Sequence, residues 1–470
     1  MGATALSLLA PGLAFASQDR HARPPNIILL FADDLGYCDT GLYGCDRVPT
    51  PHINSIARDG VLFTDGYVTA PVCSPSRAGL LTGRYQQRFG CEFNVGPIRR
   101  ALRYGVGLPA SEITLAHILK KAGYTTGVIG KWHVGAQPQY HPFKRGFDEF
   151  FGFIAGQNYY LDPQTPDAQS IFILWRDGQP GFARFRQIDP IRRGRDPVEE
   201  KEYLTDAFTR EAIDYIERHK AEPFFLYLSY NAPHTPLQAT RKYYDRFPHI
   251  KDERWRIYAA MISAVDDSVG AILGKLKETN LEDNTLIFFL SDNGCALYTQ
   301  ACDNKPLRLG KMYLLDGGTR VPFAMKWPGQ VPAGKVYQHP VSSLDVFPTA
   351  AAAARVDVPK DRKIDGVNLV PYLRGDKTSP AHDTLFWRNG SLWAVRSGYW
   401  KLFQGACHYW LYNVSQDIGE QKNLASQNPG VVKQLQEAFL SWNAGLKDPL
   451  WPSRRRIPFQ YEGVRLEIQV

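Results

Sequence analysis

Four continuous apolar runs recur along the chain, and each stops at residues that carry chemistry. Residues 26–32 end in Asp33-Asp34, and residues 124–130 in Lys131-Trp132-His133. Residues 223–230 lead into Asn231-Ala232-Pro233-His234, and residues 284–290 into Ser291-Asp292-Asn293-Gly294. Unbroken apolar stretches of this length suit strands buried on both faces, the mark of a mainly parallel sheet covered by helices. In open sheets of that kind, ligands bind just beyond the carboxyl ends of the strands. One polar strand end is commonplace, but four after near-identical runs point to one site.

The rest of the chain fits an α/β domain followed by a smaller unit. At 470 residues it exceeds one average domain. Helices are expected at 51–58, at 112–122 with Ser111 as N-cap and Gly123 as the stop, at 205–219 and at 255–278. A further one over 343–354 is expected to break near Pro348. Residues 61–68 read as a strand or extended segment, and 321–327 as a strand. Residues 157–200 show no sustained period and read as a binding loop or lid. Beyond about residue 375 the pattern turns to short aromatic-rich segments at 385–388, 392–396, 400–404 and 409–414, an antiparallel sheet closed by a helix at 431–446. The expected division is a catalytic domain over 24–375 and a C-terminal subdomain over 376–470.

Residues 3–9 are a short apolar run, and Ala14-Phe15-Ala16 before Ser17 fits a small-x-small cleavage pattern, so residues 1–17 read as an export signal. No apolar run elsewhere reaches transmembrane length by inspection. A soluble periplasmic or secreted protein is expected. Of seven cysteines, Cys38 with Cys45 and Cys295 with Cys302 are spaced to close small loops, and none forms a zinc pattern. The net charge of +8 favours anionic partners. No nucleic-acid-binding signature accompanies it.

The stretch Cys73-Ser-Pro-Ser-Arg-Ala-Gly-Leu-Leu-Thr-Gly-Arg84 runs into a helix. A thiol at a helix N-terminus, with Arg77 one turn on, is placed for anion chemistry. Asp33, Asp34, Asp292 and Asn293 supply only oxygens, which suits Ca²⁺, with Mg²⁺ second, rather than zinc or copper. Arg77, Lys131 and Lys311, with His133 and His234, form a cationic ring for a tetrahedral oxyanion, sulfate or phosphate. The histidines are placed as acid and base, and position 73 as nucleophile.

Cys73-x-Pro75-x-Arg77-x-x-x-x-Thr82-Gly83 resembles the signature of the type I sulfatases, of the alkaline phosphatase-like superfamily. The likeness takes in residues 26–36, Gly130-Lys131-Trp132-His133, Pro233-His234-x-Pro236, Ser291-Asp292-Asn293-Gly294 and Lys311. Asp316 departs from it, since many members carry Glu there. The resemblance implies an alkaline phosphatase-like fold and oxidation of Cys73 to formylglycine by a maturase. It also implies a Ca²⁺ site at Asp33, Asp34, Asp292 and Asn293 that takes in position 73. In the implied mechanism a hydroxyl of the formylglycine hydrate attacks sulfur, and His234 with Lys311 assists the departing alcohol. His133 takes a proton as sulfate leaves, and Arg77 and Lys131 hold the developing charge. Residues 137–149 resemble the corresponding part of members acting on galactose-type or amino sugars, which implies a sulfated carbohydrate such as an algal galactan or glycosaminoglycan. His141 and Arg145 are either sugar contacts or ordinary loop residues. Two alternatives stand beside this reading. One is a phosphoester or phosphonate monoester hydrolase, the other a polysaccharide-binding pseudoenzyme.

Overall fold

The computed structural model describes residues 23–172, 174–176, 179–181 and 189–470. The expected export signal at 1–17 and part of the 157–200 segment lie outside them. A ten-stranded sheet forms the centre. Its strands are β1 (Asn26–Ala32), β2 (Val61–Phe63), β3 (Thr125–Lys131), β4 (Glu149–Phe153), β5 (Arg192–Arg193), β6 (Asp196–Pro197), β7 (Phe224–Ser229), β8 (Thr285–Ser291), β9 (Phe323–Lys326) and β10 (Lys335–Tyr337). The order is β6-β5-β4-β3-β7-β1-β8-β9-β2-β10. The five inner strands β4-β3-β7-β1-β8 all run parallel. β9 pairs antiparallel with β8 and with β2, so the sheet is mixed.

The apolar runs become these inner strands because both sheet faces are covered. Alternate residues of β1 belong to different cores: Ile27, Leu29 and Phe31 to one, Ile28 and Leu30 to the other. The strand ends are in register: Phe31 lies opposite Ser229, Ala32 opposite Ser291, and Ser229 opposite Gly130. All four chemistry-bearing ends therefore open at one edge of the sheet.

Eight helices are used below: α1 (Pro51–Arg58), α2 (Cys73–Thr82), α3 (Ile98–Tyr104), α4 (Leu115–Lys121), α5 (Leu204–His219), α6 (Glu253–Glu278), α7 (Val346–Ala353) and α8 (Pro429–Asn443). Three expectations change. α4 starts at Thr114 rather than Ser111, because Thr114 and His117 cap each other's backbone N–H groups. α7 passes through Pro348 unbroken; the proline sits in the first turn, where its missing N–H has no intrahelical partner to lose. The 61–68 segment divides into β2 and a separate two-residue bridge at Gly66–Tyr67. α6 is also long and apolar enough to span a membrane by composition, a feature hidden in the sequence by Asp266 and Asp267. It packs against α5 and is largely buried, so it serves as a core helix.

The C-terminal sheet is a meander of β11 (Thr384–Asn389), β12 (Leu392–Ser397), β13 (Trp400–Gly405) and β14 (His408–Asn413). α8 packs on it, Phe439 stacking on Trp393 with ring centroids 4.2 Å apart. The chain does not close there. A hairpin of β15 (Arg456–Tyr461) and β16 (Val464–Gln469), absent from the expected elements, returns towards the strand ends.

Candidate functional site

Cys73 opens α2. Its N-cap is Val72 in extended backbone, and Gly83, at φ 66°, ends the helix in the left-handed region that favours glycine. The whole helix is buried, which sets the Cys73 side chain, 2% exposed, against the strand ends.

The thiol touches two of the expected partners. Its Sγ lies 3.5 Å from Asp33 Oδ1 and 3.4 Å from Lys311 Nζ. Burial and the nearby Asp292 carboxylate push the thiol well above its usual range, despite Lys131 and Lys311. At this helix entrance desolvation outweighs the favourable helix end, so the thiol itself is not favoured as an anion.

Arg77 serves the carboxylates rather than the sulfur. Its Nε and Nη2 donate to Asp292 Oδ2 at 3.1 and 2.9 Å, and Nη1 donates to Ser229 Oγ at 2.6 Å. Asp33 lies 3.6 Å from Nη2. Burial opposes the guanidinium charge, but Asp292 and its neighbours hold it firmly protonated. Ser229, the last residue of β7, also donates to the Lys131 carbonyl at 2.7 Å and so ties two strand ends together. It was overlooked in the sequence because it lies inside the apolar run, although a lone serine at the end of such a run is a readable signal.

Lys131 Nζ donates to Asp33 Oδ2. Lys311 Nζ donates to both oxygens of Asp34, at 2.6 and 2.9 Å. Asn293 Nδ2 donates to Asp34 Oδ1 at 2.7 Å, while its Oδ1 is buried without a partner. Asp33, Asp34 and Asp292 thus crowd together, balanced by Arg77, Lys131 and Lys311. Burial and the charge of Asp33 raise the Asp292 carboxyl above its usual range. This set fits a hard divalent cation: carboxylate oxygens already converge, and the orphaned Asn293 oxygen is a ready ligand. Ligand atoms of Asp33, Asp34, Cys73 and His234 all lie within 4.8 Å of one another.

Both histidines are neutral. Burial, with Lys131 and Arg77 next, drives His133 well below its ordinary value. Burial and Lys311 take His234 down to about 3, against the pull of Asp34. His234 Nδ1 lies 2.6 Å from the Thr235 carbonyl, which can only accept, so Nδ1 carries the proton and Nε2 is left free, 3.8 Å from Asp34 Oδ2. His133 has φ 56°, and its Nδ1 is buried without a partner. Gly156 packs against the ring: a Cβ there would lie 2.5 Å from Nε2, so only glycine permits this seat. Asp34, at φ 62°, is likewise left-handed. Such backbone costs about 1–3 kcal/mol and persists where packing over-determines it.

Cys73, His133, His234 and Lys311 line one cavity of about 530 Å³. Arg145 and His141 stand apart from it. Arg145 is 1% exposed and donates to the Glu112 carbonyl, and His141 packs edge-on against Phe143 and Phe150. Both brace a loop, so of the two readings the ordinary loop residue fits them. Asp316 holds the C-terminal sheet rather than substrate: it pairs with Lys401 Nζ at 2.6 Å and accepts from Tyr67 at 2.9 Å.

A family model described as Sulfatase matches residues 25–356, and one described as N-sulphoglucosamine sulphohydrolase, C-terminal, matches residues 309–443. The N-acetylgalactosamine-6-sulfatase of Sus scrofa is 37% identical over 419 residues, which cover 87% of this chain and 76% of that protein. Arylsulfatase D of Homo sapiens is 34% identical, covering 78% and 71%. Among solved structures, Ps i-CgsB in complex with k-i-k-neocarrahexaose superposes with a TM-score of 0.83 at 37% identity, covering 91% of this chain and 95% of that one. With the expected alkaline phosphatase-like architecture in place and the family match spanning every strand that carries the site, the chain belongs to the sulfatase family.

Proposed function

We propose that this sulfatase removes sulfate from a sulfated carbohydrate, an algal galactan or a glycosaminoglycan, using Ca²⁺ and a formylglycine made from Cys73. The observation that carries this reading is the placement of Cys73 Sγ between Asp33 and Lys311 at the point where three carboxylates and three cations converge. The substrate class is supported by the N-acetylgalactosamine-6-sulfatase relatives and by the neocarrahexaose bound to Ps i-CgsB.

Asp33, Asp34, Asp292 and Asn293 would hold the cation. Bound there, Ca²⁺ would withdraw charge from a sulfate-ester oxygen, and formylglycine at position 73 would supply the attacking hydroxyl. The chain's own groups do the remaining work. Arg77 fixes Asp292, and Lys131 fixes Asp33. Lys311, kept charged by Asp34 against the cost of burial, faces position 73 and steadies charge on the departing oxygen. His133, neutral with an unpartnered ring nitrogen, is a proton acceptor beside the cavity. His234 Nε2 takes up a proton when an anionic ester sits beside it, and delivers it to the leaving alcohol.

The buried Cys73 is out of reach of another enzyme once α2 is packed, so a maturase would act before folding. Export agrees with the pairing of Cys38 with Cys45 and Cys295 with Cys302, since disulfides persist in oxidising compartments.

Parallel assays of aryl sulfate and aryl phosphate, on enzyme co-expressed with a formylglycine-generating enzyme, test the reading. Sulfate should be the better substrate by kcat/KM, and the peptide across residue 73 should show the mass of formylglycine. A higher kcat/KM for phosphate, or full sulfatase activity with unmodified cysteine, would overturn it.

A further inference from the structure

The cavity above Cys73 has a second cationic centre away from the convergent carboxylates. Its wall includes Arg99, on α3, and Arg454 and Arg455, just ahead of β15. These residues come from segments more than 350 positions apart, yet several bonds hold them together. Arg100 Nη2 donates to the Pro452 carbonyl at 2.9 Å. Trp451 Nε1 donates to the Phe93 carbonyl at 3.1 Å, and Leu450 N to Gly90 O at 2.9 Å. The backbone N–H of Arg454 is taken by Val470 O. The rim is therefore a built surface rather than a loose tail.

The Arg99 and Arg454 guanidinium groups face this cavity without a side-chain carboxylate partner among the described residues, and none pairs with Arg100. The one acidic side chain along the described cavity wall outside the Cys73 site is Asp189. It is already committed, accepting from the Ile154 and Ala155 N–H groups and from Arg192. Partial burial, with Arg455 and Arg100 as like charges, lowers the Arg454 guanidinium from its ordinary range. Guanidinium groups that face a cavity attract anions and can hold an oxyanion by charge-assisted hydrogen bonds. A cavity of about 530 Å³ is also in the size class that takes a ligand much larger than one sulfate group.

We infer that Arg99 and Arg454 form a second anion subsite, which binds a sulfate or carboxylate on the sugar next to the one that loses its sulfate. This rests on the reading of the Cys73 cavity as the sulfate-ester site. It makes the enzyme selective for substrates bearing anions on adjacent sugars, and it gives the C-terminal hairpin a part in specificity.

Titration calorimetry on protein made without a formylglycine-generating enzyme, in which Cys73 stays a thiol, reads the subsite without turnover, and activity is measured on the converted enzyme. The probes are κ-type carrageenan oligosaccharides with one sulfate per repeat, ι-type with two, and chondroitin sulfate oligosaccharides, whose second anion is a uronate. Wild type should bind ι-type, chondroitin sulfate or both at least about tenfold tighter than κ-type. A double variant, R99A with R454A, should lose that preference, whereas R99K with R454K should keep most of it. Tighter ι-type binding identifies a second sulfate as the anion, and tighter chondroitin binding identifies a carboxylate. No preference in wild type, or an undiminished one in the alanine variant, overturns the inference. Aryl sulfatase activity measured alongside judges the underlying function separately: its absence would sink the sulfatase mechanism while the binding ratios still decide the subsite.

Discussion

At the residue scale, the site is organised by carboxylates, and each cation is defined by the carboxylate it holds. Arg77 belongs to Asp292, Lys131 to Asp33 and Lys311 to Asp34. Position 73 is reached by one cation directly, Lys311. In the proposed mechanism, leaving-group assistance rests on Lys311 and His234 together, and the two histidines have different partners. His234→Ala should lower kcat/KM about 10²-fold or more on sugar sulfates, whose alkoxide is a poor leaving group, and less on aryl sulfates. A plot of rate against leaving-group pKa should steepen, and equal losses on both substrates would remove His234 as the acid. The residue types of this site were legible in the sequence. Their pairing was not, since nothing in the one-dimensional order says that Arg77 donates to Asp292 and Ser229.

At the element scale, the parallel strands were readable because a strand buried on both faces needs an unbroken apolar run. Helix starts were less so, because a cap depends on which hydroxyl or carboxylate reaches the free N–H groups. Thr114 displaced Ser111 for α4, and α1 has a cap supplied from another helix. Asp266, in the middle of α6, accepts from the N–H groups of His52 and Ile53 at the start of α1. Burial raises its carboxyl to about 6, against the pull of those bonds. Between its unfolded value near 4 and about 6 the folded state binds more protons than the unfolded, so this group's contribution to stability falls as pH rises through that window. Asp266→Asn removes the titration but keeps one acceptor. The difference in unfolding midpoint between variant and wild type should move in the variant's favour from pH 4 to pH 7. A pH-independent difference would contradict the assignment.

At the scale of the whole molecule, the C-terminal sheet is joined to the catalytic edge by buried charge. Lys401, on β13, pairs with Asp316 at 2.6 Å and Glu420 at 3.0 Å, and Glu420 Oε2 accepts the Asp316 N–H at 2.7 Å. Asp316 follows Lys311 by five residues. Gly294 and Gly317 press backbone against backbone beside it, since a Cβ on Gly294 would meet the Gly317 carbonyl at 1.7 Å. We expect Lys401→Met to strand two buried carboxylates and cost about 3–5 kcal/mol. Calorimetry should show the lowered midpoint. We also expect kcat/KM to fall through misplacement of Lys311, and an unchanged midpoint would show that the network bears little of the join. Asp316 thus belongs to the seat of the C-terminal sheet, not to substrate.

The sequence by itself determined the sheet, the edge at which the site opens and the residues gathered there. Apolar runs and their polar ends are local properties, and burial on two faces leaves the run no other use. It also carried the motif that places the chain in the sulfatase family. Only the tertiary structure decided which charge faces which and that burial raises the Cys73 thiol above its usual range. It likewise revealed that Gly156 and Ser229 shape the site, and that β15 and β16 bring Arg454 to its rim. Those features arise between segments hundreds of residues apart, where distance and dielectric are set by packing and have no imprint in the order of the residues.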